Sequence, residues 1–145
     1  KELCKFGQLE AEKLGYEVVF LTDYLNGEAR DVGSFLASVL KTHAHDGKNI
    51  AFIAGGETVV HVTGHGLGGR NQELALAASV NIQGIDNVAL ISVGSDGTDG
   101  PTDAAGGYVD GSSFAQLKEK GILVSDVLKD NDAYSSTNFD KLKLL

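Results

Sequence analysis

The chain reads as an α/β protein, with layered helices on a mixed sheet that includes an antiparallel hairpin. Three observations predict this. Apolar runs of strand length alternate with helix-length segments, the pattern of helices covering a sheet. Two of the runs, NIAFIAG (49–55) and TVVHVTG (58–64), are separated by only Gly56 and Glu57, too little for a parallel crossover. The 145 residues show no internal repeat and no linker, and suffice for a single domain with its own core.

Residues 2–14 read as a helix closed by Gly15, and YEVVFL (16–21) as a short apolar strand. Asn26 is a plausible N-cap for the next helix. There Val32, Phe35, Leu36, Val39 and Leu40 recur at i, i+3, i+4, i+7 and i+8, a core-facing stripe. After the expected hairpin, NQELALAASVNI is apolar beyond its first turn and reads as a buried helix. NVALISVG (87–94) is a strand leading into the acidic glycine loop SDGTDGPTDAAGG. Ser112 to Lys120 reads as a helix closed by Gly121, with shorter helical pieces near 125–130 and 132–144.

Composition excludes several classes. The net charge of −8, with the basic residues scattered, argues against nucleic acid, which needs clustered Lys and Arg. No apolar run approaches the roughly 20 residues of a membrane helix, and there is no signal-peptide pattern. A soluble, cytoplasmic protein is expected. The single Cys4 rules out an internal disulfide framework and any all-cysteine metal site. The chain contains no methionine, opens directly in a helical pattern and stops at LKLL without a closing turn, so a fragment of a longer protein is expected.

The 19 glycines concentrate around residues 55–111. Gly64, Gly66 and Gly69 spell G-x-G-x-x-G between a strand and a helix, the dinucleotide-binding pattern by letter. Its context does not follow. The polar run Arg70, Asn71, Gln72 and Glu73 replaces the apolar helix face that should come next. The ribose-binding acid is missing, because position 89 is Ala while Asp86 and Asp96 miss the strand end. The expected hairpin also conflicts with a parallel nucleotide-binding start. An anion remains plausible, since a glycine turn into a helix start offers N–H groups and a positive dipole end. Arg70 adds a full positive charge there. Its partner is either Glu73, one turn on, or a bound phosphate or carboxylate gripped by the guanidinium.

Asp96, Asp99 and Asp103, with Thr98 and Thr102, follow an apolar strand. They can hold a hydrated Mg²⁺, or simply form Asx-turns that satisfy their own backbone. Ser95 lacks a G-x-S-x-G elbow. His43 and His45 beside Asp46 read as helix-end groups, His61 lies in an expected strand, and His65 has no triad partners.

GGET (55–58), GGRNQELALA (68–77), GSDGTDGPTDAAG (94–106) and NDAY (131–134) together resemble the MOFRL domain, the C-terminal part of class II glycerate kinases. Members of that family have often been labelled hydroxypyruvate reductases. GYEVVFLTDYLNGEARDVGSFLA resembles the segment leading into it, so the likeness spans essentially the whole chain. It implies ATP-dependent phosphorylation of D-glycerate to 2-phosphoglycerate, with ATP and Mg²⁺ as cofactors. It also implies a Rossmann-like N-terminal domain across the active-site cleft, and a functional arginine at Arg70.

On that resemblance, residues 1–145 form a single domain comprising most of the MOFRL part. The N–H groups of Gly66, Gly68, Gly69 and Arg70 would line an anion pocket, with Asp96, Asp99 and Asp103 as metal ligands. Glu57, Thr58, Asn71, Glu73 and Thr102 would bind substrate or shape the cleft. The lysine-bearing N-terminal domain and the family's closing Gly-Pro-Thr-Gly-Thr-Asn-Val-type stretch are absent, so half an active site, inactive alone, is expected. The alternatives are an NAD(P)H-dependent hydroxypyruvate reductase and a non-catalytic anion-binding or structural module.

Overall fold

The computed structural model describes residues 1–137. Its elements run α1 (Glu2–Lys13), β1 (Glu17–Glu28), α2 (Ala29–His43), β2 (Ile50–Val59), α3 (Arg70–Asn81), β3 (Ala89–Val93), β4 (Gly106–Asp110), α4 (Ser113–Glu119), α5 (Val124–Lys129) and α6 (Ala133–Thr137). The rest of the helix expected over 132–144 lies outside the described residues.

The fold is mixed α/β with one parallel and one antiparallel strand pair among the described residues. The expected hairpin is not there. β2 runs without a turn through Gly55, Gly56 and Glu57 and pairs parallel with β1 from Glu17↔Ile50 to Glu28↔Val59. The two glycines serve contact instead of reversal. A Cβ on Gly56 would strike the Leu25 backbone, and one on Gly55 would strike Cys4 Sγ.

β1 bulges against β2 between Phe20 and Leu25, and so continues well past residue 21. Asn26 therefore sits in the strand, and Glu28 takes the N-cap position of α2 without a side-chain cap. The antiparallel pair is instead β3 with β4, from Ala89↔Asp110 to Val93↔Gly106. β4 carries no strand signature in the sequence because it opens on Gly106 and Gly107. Those glycines are needed for clearance: a Cβ on Gly106 would meet Ser92 O, and one on Gly107 would lie 2.9 Å from Ala75 Cβ.

The helix α3 is the centre of the packing. Gln72 through Ser79 are all buried, and Leu74, Ala75, Leu76, Ala78 and Ile82 join the core with Ala29, Val32, Ala37, Leu90 and Val109. Small side chains allow close approach. Gly33 of α2 lies against the Leu74 carbonyl, where any Cβ would collide. Burying a side chain such as Leu76 contributes about 1.5–3 kcal/mol each, so the helix is anchored by its own apolar sequence.

Three helices end in the same way. At α1, Gly15 (φ 86°) lets its own N–H reach Glu12 O (3.0 Å) and that of Tyr16 reach Ala11 O (3.0 Å). Gly121 (φ 76°) does this for α4. At α5 the left-handed residue is Asn131 (φ 55°), whose N–H reaches Leu128 O while Asp132 N–H reaches Val127 O. These are Schellman closures, in which Asn is the usual substitute for Gly.

Candidate functional site

Arg70 is the first residue of α3, so its side chain projects from the positive end of the molecule's most buried helix. Two of the orphan N–H groups of that end are already served. Asn71 N donates to Asp99 Oδ1 (3.0 Å) and Gln72 N to Asp99 Oδ2 (2.8 Å). The side-chain amides add Asn71 Nδ2 to Oδ1 (3.0 Å) and Gln72 Nε2 to Oδ2 (2.9 Å). Asp99 is 1% exposed. The anion that this helix start calls for is therefore a carboxylate of the protein itself.

Both oxygens of Asp99, expected as a metal ligand, accept N–H donors in this arrangement. Thr102, expected to bind substrate, bonds to the same loop. Its hydroxyl donates to Asp99 O (2.7 Å) and accepts from Gln72 Nε2 (3.0 Å) and Ala104 N (3.2 Å), so it braces the cap instead of facing a substrate. Asn71 has the same fate: its amide holds Asp99, and its Oδ1 accepts from Ser92 Oγ (2.7 Å).

The glycine loop is likewise satisfied from within. Five successive N–H groups donate to the segment 130–132. Thr63 and Gly64 reach Asn131 Oδ1 (2.7 and 2.9 Å), and His65 reaches Asp130 Oδ1 (3.0 Å). Gly66 reaches Asp130 O (2.8 Å) and Leu67 reaches Asp132 Oδ1 (3.0 Å). Tyr134 N returns a bond to Leu67 O (2.9 Å). Side chains at Gly64 or Gly66 would collide with Asp130 and Asp132, and one at Gly69 with Asp99. The G-x-G-x-x-G spacing thus admits a neighbouring segment of the same chain, not a pyrophosphate.

The N–H of Gly66, expected in the anion pocket, is thus engaged by Asp130. The N–H groups of Gly68, Gly69 and Arg70 donate to no described residue. A depression of about 340 Å³, lined by Thr63, Gly64, His65, Asp126, Lys129 and Asp130, borders the other end of the loop and does not reach Arg70.

Around Arg70 the surroundings are open. Its Nη1 donates to Glu57 Oε1 (2.9 Å) and Thr58 O (3.3 Å), so the strand β2 delivers both partners. Asp96 is exposed nearby. The Thr98 N–H, chiefly, holds its carboxyl below the ordinary value, and the charge of Arg70 contributes in the same direction.

Glu73 is not the partner of Arg70. It is buried, accepts Arg30 Nη2 (3.0 Å) and Asn131 Nδ2 (3.1 Å) on Oε1, and belongs to the packing. Asp103 lies apart again, accepting from Tyr134 OH (2.6 Å), and that bond raises the tyrosine pKa. Asp96, Asp99 and Asp103 therefore do not converge. Among the described residues, no group of three His, Cys, Asp or Glu side chains could hold a metal ion.

Sequence reasoning missed Arg30, Gln72 and Asn131. A polar residue just past a short helix was the available signal for Asn131. Arg30 offered none, because its partners Glu73 and Leu128 are 43 and 98 residues away.

Residues 50–144 match the MOFRL family. The chain belongs to that family. It is 46% identical over 140 residues to the D-glycerate 2-kinase of Thermotoga maritima, covering 94% of this chain and 34% of that protein. With the glycerate 2-kinase of Pyrococcus horikoshii it shares 41% identity, covering 92% of this chain and 31% of that one. The crystal structure of the Thermotoga maritima glycerate kinase superposes with a TM-score of 0.89 at 46% identity, over 93% of this chain and 34% of the other. The chain thus spans about a third of the length of the curated relatives it matches. Among the described residues no helix is long and apolar enough to cross a membrane.

Proposed function

We propose that this MOFRL chain forms one wall of the active-site cleft of a glycerate 2-kinase, which transfers the γ-phosphoryl group of ATP to D-glycerate to give 2-phosphoglycerate. The carrying observation is Arg70, a cation at the head of a buried helix whose side-chain partners are one exposed carboxylate and one carbonyl. An arriving carboxylate or phosphoryl group can displace Glu57 and take the guanidinium fork in two parallel bonds. The N–H groups of Gly68, Gly69 and Arg70 extend the same anion-binding edge.

Phosphoryl transfer needs from a protein mainly positioning and charge neutralisation, and Arg70 contributes to both. Mg²⁺ in this reading travels with the nucleotide phosphates and is assigned no ligand set on this chain. The relatives' names favour a kinase over a hydroxypyruvate reductase, and the occupied glycine loop gives a nicotinamide cofactor no purchase.

The opposite wall, in this reading, is the remaining two-thirds of a longer polypeptide, and the isolated chain is inactive. α1 supports this, for it buries none of its residues and leaves Leu3, Phe6 and Leu9 exposed. Such an apolar face suits coverage by another part of the same protein. The deciding experiment is a coupled ADP-release assay on the full-length protein with D-glycerate as acceptor. ADP formed with glycerate and not without it is expected; hydroxypyruvate-dependent NADH oxidation without ADP release would reverse the reading.

A further inference from the structure

The strongest unassigned feature is the side chain of Asn131. Its backbone closes α5 in the left-handed region, a task Gly would perform equally well. Its carboxamide does something separate. Oδ1 accepts from Thr63 N (2.7 Å), Gly64 N (2.9 Å) and, at longer range, Thr63 Oγ1 (3.4 Å). Nδ2 donates to His61 O (3.2 Å) and to Glu73 Oε1 (3.1 Å). One buried amide thus ties the start of the glycine loop to α3, three residues beyond Arg70.

The same Glu73 oxygen takes Arg30 Nη2, whose other bond goes to Leu128 O at the end of α5. Arg70 itself reaches back to residues 57 and 58, just before the loop. Residues 57–73 therefore form a closed arc, pinned across its middle by Asn131 and across its mouth by Arg70. Were the amide missing, the N–H groups of Thr63 and Gly64 would lose their acceptor, and the remaining N–H bonds of the loop, to Asp130 and Asp132, would all lie beyond Gly64.

We propose that Asn131 is a positioning residue, whose carboxamide sets the placement of Arg70 and the Gly68–Arg70 N–H groups against an anionic substrate. The proposal rests on the kinase reading for its activity arm only. Two substitutions in the full-length protein separate side chain from backbone. Asn131→Gly removes the amide and keeps the left-handed closure; Asn131→Ala removes the amide and strains the closure as well. The Ala variant is thus the less stable of the two.

Positioning predicts the same defect in both variants at a temperature where both are folded, with KM for D-glycerate raised about tenfold and KM for ATP little changed. It also predicts amide hydrogen exchange at Thr63 and Gly64 faster by about tenfold or more in both. A glycerate KM that worsens from Gly to Ala in step with stability would make the residue merely structural and overturn the proposal. Wild-type exchange at Thr63 and Gly64 in Asn131→Gly would overturn it independently of activity. If the wild-type protein fails to phosphorylate glycerate, the kinase reading falls, while the exchange measurement still decides whether the amide holds the loop.

Discussion

Arg30–Glu73 and Arg70–Glu57 are ion pairs of nearly equal length, 3.0 and 2.9 Å, and both have one partner on α3. Their surroundings differ. The Glu73 side chain is 3% exposed and shared with Asn131, whereas Glu57 is 76% exposed and Arg70 47%. A buried carboxylate with two donors cannot be released without leaving charge in a low-dielectric interior. An exposed pair contributes a fraction of a kcal/mol and exchanges readily with solvent or ligand. Distance alone does not separate architecture from function here; burial does.

The comparison can be broken most severely at its buried end. Glu73→Ala should destabilise the full-length protein by about 3–5 kcal/mol, because Arg30 loses its carboxylate and Asn131 its acceptor. Urea denaturation measures this, and a midpoint near wild type would place Glu73 outside the packing. Arg70→Ala should do the reverse. Turnover should fall by about 10²–10³, the usual cost of losing one charged stabilising group, while the unfolding midpoint barely moves. Wild-type turnover in that variant would remove Arg70 from the mechanism.

Asp99→Ala falls between the two. It takes the cap from α3 and leaves amide donors unserved in the interior, so a loss of about 2 kcal/mol is expected in the same denaturation experiment. A loss of Mg²⁺ dependence with stability intact would instead return Asp99 to a metal role.

Glu57→Gln should act in the opposite sense to Arg70→Ala. Removing the competing carboxylate is worth about 0.5 kcal/mol to an incoming anion, so KM for glycerate should drop about twofold with stability unchanged. A raised KM would mean that Glu57 orients Arg70 instead of reserving it.

The smallest effect concerns acid. The Asp96 carboxyl titrates below its ordinary 3.8, mainly through the Thr98 N–H and in smaller part through Arg70. The unfolded chain therefore binds this proton more readily. Its contribution to stability is complete above about pH 4 and is lost as pH falls through the lower, folded value. Asp96→Asn should flatten that acid limb slightly in pH-dependent unfolding, with the small loss present at neutral pH and absent at strongly acid pH.

Much of the site was legible by type but not by task. GGRNQE placed Arg70 at a helix start, and the structure keeps it there. A negative group does face that start. What the linear chain could not show is that Asp99, 27 residues beyond Gln72, already fills the place. The glycine spacing was equally visible, but its cause is contact of Gly64 and Gly66 with Asp130 and Asp132 and of Gly69 with Asp99, which only the folded arrangement brings near. The hairpin expectation failed on the same ground. Gly-Gly-Glu between two apolar runs suits a turn locally, and the close approach of Leu25 to Gly56 makes it a parallel strand instead.

The sequence by itself determined the helices with strong periodicity, their glycine closures, and the family likeness that singles out Arg70. Those signals are local, set by side-chain spacing and backbone freedom within a few residues. Tertiary structure decided strand pairing, the capping of α3 by Asp99, the occupation of the glycine loop, and which glutamate holds which arginine. Each depends on a partner tens of residues away, chosen by burial and by the requirement that every buried N–H find an acceptor.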